Sequence, residues 1–205
     1  MSVLTFVLAL TLALSAPSSA FAAPGDSAAE PIVVTDWSGL DAAIRDAEAM
    51  TCIELGNDID AVSASTYPND RKVTIDGKGH TIKSASASDP NTGLRFNGNS
   101  ATGNAIVLRN LTFEDLQVGG AGGETTARNG SYTYGGGALS VRAGSLTIEN
   151  CAFINNKSVA TGNNGNGGAV FFQNAGVVNI TNSTFYGNES ARKGGAIAVG
   201  NSADA

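Results

Sequence analysis

Two short motifs alternate along the second half of this chain, and together they restrict its fold more than any other feature. In the first, an aliphatic residue is followed two positions on by Asn and three positions later by Phe. It reads Leu108, Asn110, Phe113, then Ile148, Asn150, Phe153, then Ile180, Asn182, Phe185. The second is Gly-Gly-Ala followed by an aliphatic residue: Gly136-Gly137-Ala138-Leu139, Gly167-Gly168-Ala169-Val170 and Gly194-Gly195-Ala196-Ile197. The Asn positions recur after 40 and 32 residues, the Ala positions after 31 and 27. Constant motifs at unequal periods describe a fixed cross-section with loops of variable length spliced into it.

The surrounding segments, such as residues 145–149 and 177–180, alternate apolar and polar with the period of a strand, and no helix-length stretch separates them. Antiparallel hairpins have no need of identical motifs at identical positions. A parallel solenoid does, because each coil lies on the last and like residues stack. The pattern therefore predicts an all-β parallel β-helix. Phe113, Phe153 and Phe185 form an internal aromatic stack, and Asn110, Asn150 and Asn182 an internal amide ladder at a tight bend, with Asn110 and Asn182 facing inward. The Gly-Gly pairs supply a corner that needs positive φ and no side-chain bulk.

Upstream, residues 37–50 read as the one good helix. Trp37, Leu40, Ile44 and Ala47 share a face, and Ser38 with Asp41 resembles a capping box. Such a helix plugs the open end of a solenoid. Residues 52–55 and 73–82 give the first coils, with turn signals at Asp76-Gly77 and Lys78-Gly79. The chain stops just after the third Gly-Gly-Ala strand, so the pattern predicts further coils beyond residue 205 and a solenoid truncated at its C-terminus. Three segments result: 1–22, 23–104 with the cap and first coils, and 105–205 with the repeats.

Residues 3–14 are an apolar run too short to span a membrane, and Ala20-Phe21-Ala22 follows as a small-x-small cleavage pattern. This reads as a signal peptide over residues 1–22, and hence a secreted or cell-surface protein, although no Lys or Arg precedes Arg45. Export permits disulfides. Cys52 and Cys151, however, fall three or four coils apart, roughly 14–19 Å at the usual strand spacing, beyond the ~7 Å reach of a disulfide. Both are expected to be free, buried thiols.

The net charge is −6, and no basic cluster exceeds Arg71-Lys72 or Arg192-Lys193, which argues against nucleic acid as a partner. One His and two Cys exclude a four-ligand zinc site built from those residues alone. Gly77 and Gly79 precede no helix, so no phosphate cradle forms. No cofactor or metal site is expected.

On these motifs the chain resembles the right-handed parallel β-helices of the pectin-lyase-like superfamily, and more narrowly the polymorphic outer membrane protein repeat family. That family's tetrapeptides are Gly-Gly-Ala with Ile, Leu or Val, and Phe-x-x-Asn. The second occurs here as residues 153–156 and 185–188, while the earliest copy, residues 113–116, ends in Leu116. The resemblance implies an exported, non-catalytic, adhesin-like surface protein whose loops meet a host-cell or glycan ligand. Any membrane association would run through an anchor outside this chain.

The same resemblance admits an alternative, a carbohydrate-active enzyme whose catalytic coils lie beyond residue 205. Glycoside hydrolysis needs two carboxylates flanking the scissile bond. Beyond Asp76 only Asp89, Glu114, Asp115, Glu124, Glu149, Glu189 and Asp204 remain, and no stacked pair recurs from coil to coil. The adjacent Glu114 and Asp115 point to opposite faces if both lie on a strand. His80, in a Gly-x-Gly-His turn, reads as structural. The excursion from Val118 to Gly135, with Arg128, Tyr132 and Tyr134, reads either as a Gly-rich insertion or as a candidate binding loop.

Overall fold

A computed structural model describes residues 30–47, 50–63, 65–68, 70–88, 91–98, 103–119, 135–159 and 165–200. Within them the chain winds as a parallel β-helix. Strand β1 (Ile32–Val34) and helix α1 (Trp37–Asp46) lead in. The first coil is β2 (Thr51–Leu55), β3 (Ile59–Ala61) and β4 (Ser65–Tyr67). The second is β5 (Lys72–Asp76), β6 (Thr81–Ser84) and β7 (Leu94–Phe96). The third runs through β8 (Asn104–Arg109), β9 (Thr112–Glu114) and β10 (Gln117–Val118) into the first half of β11 (Leu139–Glu149). The rest of β11, β12 (Ala152–Ile154), β13 (Lys157–Ser158) and the first half of β14 (Val170–Thr181) make the fourth. The fifth is the remainder of β14 with β15 (Thr184–Tyr186), β16 (Glu189–Ser190) and β17 (Ile197–Gly200).

Three sheets run along the shaft. One has the order β1-β2-β5-β8-β11-β14-β17, with β7 joining through β11 and β4 through β7. The others are β3-β6-β9-β12-β15 and β10-β13-β16. The long strand β11 belongs to two walls. Its residues 139–141 pair with β7 and its residues 144–149 with β8. Between them it turns a corner at Ala143 and Gly144, with φ of 62° and 93°.

Period-two alternation builds the core. Ile53, Ile75, Leu108, Ile148 and Ile180 stand in register along the first sheet. Ile59, Ile82, Phe113, Phe153 and Phe185 do so along the second. The Phe113 and Phe153 rings lie 5.1 Å apart at 12°, and Phe153 and Phe185 4.8 Å apart at 1°. Rings carried on adjacent parallel strands inherit the strand spacing of roughly 4.8 Å. Phe113 and Phe153 are fully buried, whereas Phe185 in the last coil is half-buried. The edge strands β15, β16 and β17 leave Tyr186 71% and Val199 59% exposed.

The two glycines of each Gly-Gly-Ala corner have different duties. The first takes the left-handed backbone, with φ of 78° at Gly136, 62° at Gly167 and 63° at Gly194. At the second no positive φ arises. A Cβ on Gly137 would instead lie 2.5 Å from the Lys157 carbonyl oxygen and 2.6 Å from that of Leu116. Coils approach too closely there for any side chain. Ala138 and Ala169 follow, fully buried.

Helix α1 ends at Asp46, earlier than the pattern predicts, and Asp36 rather than Ser38 caps it: the Asp36 carboxylate accepts the Gly39 N–H at 2.8 Å. Asp41 instead takes Arg45 one turn on, at 2.7 Å. The buried face is Trp37, Leu40, Ala43 and Ile44, with Ala47 buried just past the end. It joins the same core as the first coil.

Neither Cys52 nor Cys151 forms a disulfide, and the ladder β2-β5-β8-β11 keeps them three coils apart. Cys52 departs from the expected burial. It alternates with the inward Ile53 on β2, so its side chain lies on the outer wall and is only half-buried. Cys151 is buried, its Sγ donating to the Glu149 carbonyl at 3.3 Å, and burial pushes its thiol up to about 11. At pH 8 a thiol-specific reagent should therefore label one cysteine per native molecule quickly, with peptide mapping placing it at Cys52. Rapid labelling of Cys151 would contradict its burial.

Candidate functional site

The outer faces of the shaft are where a partner can be met, and along them acidic and basic side chains pair from coil to coil. Asp60, Lys83 and Glu114 stand in register on β3, β6 and β9, with Lys83 Nζ 3.8 Å from Asp60. Lys157 and Glu189 pair likewise on β13 and β16, at 3.2 Å. On the first sheet the column is Glu54, Asp76, Arg109 and Glu149. There Arg109 Nε donates to Asp76 at 3.0 Å and Lys78 Nζ reaches Glu54 at 3.4 Å. Each exposed pair contributes ~0–1 kcal/mol. On the first sheet they offset two carboxylates, Glu54 and Asp76, that face each other one strand spacing apart.

Asp76 is the most enclosed of these carboxylates. It accepts hydrogen bonds from Arg109 Nε, from Asn110 Nδ2 at 3.1 Å and from the Lys78 N–H at 2.9 Å. Its oxygens are committed to holding the turn after β5. Glu114 closes β9, and Asp115 occupies the following bend at φ 54°, exposed. Glu149 and Glu189 stand on different sheets. Asp89, Glu124 and Asp204 lie outside the described residues. His80 Nδ1 sits 3.2 Å from Asp58 Oδ1, which also accepts the Thr81 N–H at 3.0 Å. That N–H first, and His80 second, hold the Asp58 carboxyl below the usual range. The pair pins the β5–β6 turn. Among the described residues no group of three or more His, Cys, Asp and Glu side chains could hold a metal ion.

Asn110, Asn150 and Asn182 stand one above another, directly after the in-register residues Arg109, Glu149 and Thr181. All three take the left-handed backbone, at φ of 53°, 52° and 46°. Asn is among the few residues that do so readily. Asn150 Nδ2 donates to Asn110 Oδ1 at 3.4 Å, and Asn110 passes the chain to Asp76. The expectation that this ladder is internal is corrected, because Asn150 and Asn182 are exposed and Asn110 half-buried. The left-handed turn swings each amide to the outer rim of the bend.

The buried ladder is a different one, formed by the Asn of Phe-x-x-Asn. Asn156 is fully buried. Its Oδ1 accepts the Leu116 N–H at 3.1 Å, and its Nδ2 donates to the Phe113 carbonyl at 3.0 Å and to Asn188 Oδ1 at 3.1 Å. Asn188 repeats this one coil on, accepting the Asn156 N–H at 2.9 Å and donating to the Phe153 carbonyl at 2.8 Å. Each Asn thus satisfies the corner of the coil before it. Leu116 stands at the start of the column, where its place is apolar and buried. The signal was present in the tetrapeptide, but spacing alone does not say which Asn points inward.

Arg128, Tyr132 and Tyr134, the candidate binding loop, lie outside the described residues. Sequence reasoning missed a different set. Arg95 on β7, Ser140 and Arg142 on β11, and Gln173 on β14 alternate with inward Leu94, Phe96, Leu139, Val141, Val170 and Phe172, and so share one outer wall. They belong to no repeated motif.

A family model described as "Putative pectate lyase-like adhesive domain" matches residues 32–192. Comparison with curated proteins gave no match, nor did comparison with solved structures. The matched span runs from β1 to just past β16, so it takes in the entry strand, the helix and nearly all of the stacked coils. The parallel β-helix and that span agree, and the chain belongs to the pectate lyase-like adhesive domain family.

Proposed function

We propose that this protein is an exported, non-catalytic adhesin, displayed at the cell surface to attach to a host or neighbouring cell. The family match to an adhesive domain over most of the shaft carries this reading. The commitment of Asp76 to three hydrogen bonds and of the outer carboxylates to neighbouring cations supports it. The mechanism is structural: stacked main-chain ladders make a stiff shaft, and its outer walls and loop insertions meet the partner. The Gly-Gly-Ala and Phe-x-x-Asn tetrapeptides favour kinship with the polymorphic outer membrane protein repeats. The apolar run over residues 3–14 and the cleavage pattern at Ala22 favour export with a mature N-terminus at Ala23.

The test is to express the full chain, sequence the N-terminus of the exported product, and coat beads with it for a cell-attachment assay. Beads should bind cells while the protein releases no unsaturated uronide from polygalacturonate. Release of such product, or beads that bind no better than albumin-coated ones, would defeat the reading.

A further inference from the structure

The outer wall of the sheet β3-β6-β9-β12-β15 carries charge toward the first coils and apolar surface toward the last. Asp60, Lys83, Glu114, Ile154 and Tyr186 stand in one register column, each a strand spacing from the next. Tyr186, at 71%, is the most exposed of the large hydrophobic side chains described. It points off the wall, alternating on β15 with Phe185, which packs against the core. Ile154 beside it, and Ala152 two residues before Ile154, are half-buried and extend the apolar ground. Charges on this wall and the adjoining β13-β16 wall cancel in two pairs, Lys83 with Asp60 and Lys157 with Glu189. Glu114 and Asp115 are left over: among the described residues no ion pair includes either. Asp115 is exposed at the left-handed bend just past β9, in a column that continues with Asn155 and Gly187.

We propose that this face, centred on Ile154 and Tyr186 with Glu114 and Asp115 at its margin, docks a protein surface that offers an aliphatic side chain flanked by Lys or Arg. This names the partner class for the adhesive reading above and rests on it. An exposed tyrosine over an aliphatic neighbour is the kind of anchor that dominates protein contacts, and a charged margin sets partner choice. The two uncompensated carboxylates select a cation, and a guanidinium meets a carboxylate through two parallel hydrogen bonds. A second copy of this chain fits less well, since a two-fold contact would bring the same uncompensated carboxylates from both sides. An acidic glycan is opposed by those carboxylates and by the net charge of −6. Strand addition is not the mode, because β9 and β12 are already paired on both edges. The contact is made through side chains on the broad side of the sheet.

The experiment titrates the ¹⁵N-labelled full chain with the capped peptide Lys-Leu-Arg-Leu-Lys, following the backbone amides of residues 112–115, 152–155 and 184–187. Two control peptides replace its basic residues with Glu or its leucines with Ser. The basic peptide should shift these signals saturably, and more weakly as salt is raised. The Glu peptide should not bind, and the Ser peptide should bind less well. Tyr186→Ser should weaken binding about tenfold or more. Glu114→Gln combined with Asp115→Asn should weaken it and remove the salt dependence. These side chains are exposed or half-buried, and Asn tolerates the left-handed bend at residue 115, so melting temperatures should hold. Val177→Ser, exposed on β14, should bind as the parent does. Shifts absent from this face, equal shifts from the Glu peptide, or larger ones from the neutral sugar maltotriose would each overturn the proposal. So would the same shifts on concentrating the protein alone, with a dimer in sedimentation. Cell attachment is measured in parallel. Attachment that Tyr186→Ser leaves unchanged sinks this face and leaves the adhesin standing, whereas peptide binding without attachment does the reverse.

Discussion

Asn156→Ala is expected to lower the unfolding free energy by about 3 kcal/mol. The side chain is fully buried and holds three polar atoms of two other coils: the Leu116 N–H, the Phe113 carbonyl and Asn188 Oδ1. Alanine leaves the Leu116 N–H stranded in the interior, which alone costs roughly 1–3 kcal/mol, and forfeits the remaining bonds. The sharpest comparison is Asn150→Gly in the exposed ladder. Glycine adopts the φ of 52° at that bend without strain, and the amide contact it loses is a long one at 3.4 Å. That variant should stay within about 0.5 kcal/mol of the parent. Urea denaturation of both variants decides the matter, and equal costs would show that the two Asn columns have been given the wrong roles.

Phe153→Ala should be more damaging, at about 3–5 kcal/mol. The ring is fully buried between Phe113 and Phe185, at 5.1 and 4.8 Å. Its removal opens a cavity that neighbouring rungs cannot close without breaking register. Phe185→Ala should cost roughly half as much, since that ring is half-buried and already meets solvent. Phe153→Leu should cost less than about 1.5 kcal/mol, because the same column accepts Ile82 two coils earlier. Thermal or chemical unfolding of the three variants gives the ranking. A Phe185→Ala cost as large as that of Phe153→Ala would mean that the last coil is packed more tightly than its exposure indicates.

These contrasts show where sequence reasoning reached and where it stopped. Repetition at irregular periods carried the fold class, because only stacked coils need Phe113, Phe153 and Phe185 at one position of the cross-section. The corner glycines were legible for a similar reason, although their division of labour was not: Gly136 is required by its own φ, Gly137 by the carbonyls of Leu116 on its own coil and Lys157 on the next. The capping helix was visible from its apolar face, while its cap moved to Asp36, a one-turn detail that local hydrogen-bond geometry settles. Direction was the weak point. Asn150 and Asn156 lie six residues apart in the same repeat, and spacing gives them equal claims to the interior. The left-handed turn at Asn150 sends its amide outward, whereas the left-handed Asn155, at φ 54°, breaks the alternation that follows the inward Phe153 and turns Asn156 in.

The site was less legible than the fold. Arg142 and Gln173 each stand three residues past the aliphatic of a Gly-Gly-Ala motif, so the repeat aligns them, but their differing side chains gave no periodic signal, and Arg95 follows no such motif. By itself the sequence determined the stacking: its periodic apolar and glycine positions are satisfied only when each coil lies on its neighbour, an energetic demand written locally in every repeat. Only the tertiary structure decided which polar groups that stacking satisfies and which it strands, because the ladder partners, such as those of Asn156, come from the coils above and below and lie dozens of residues away in the chain.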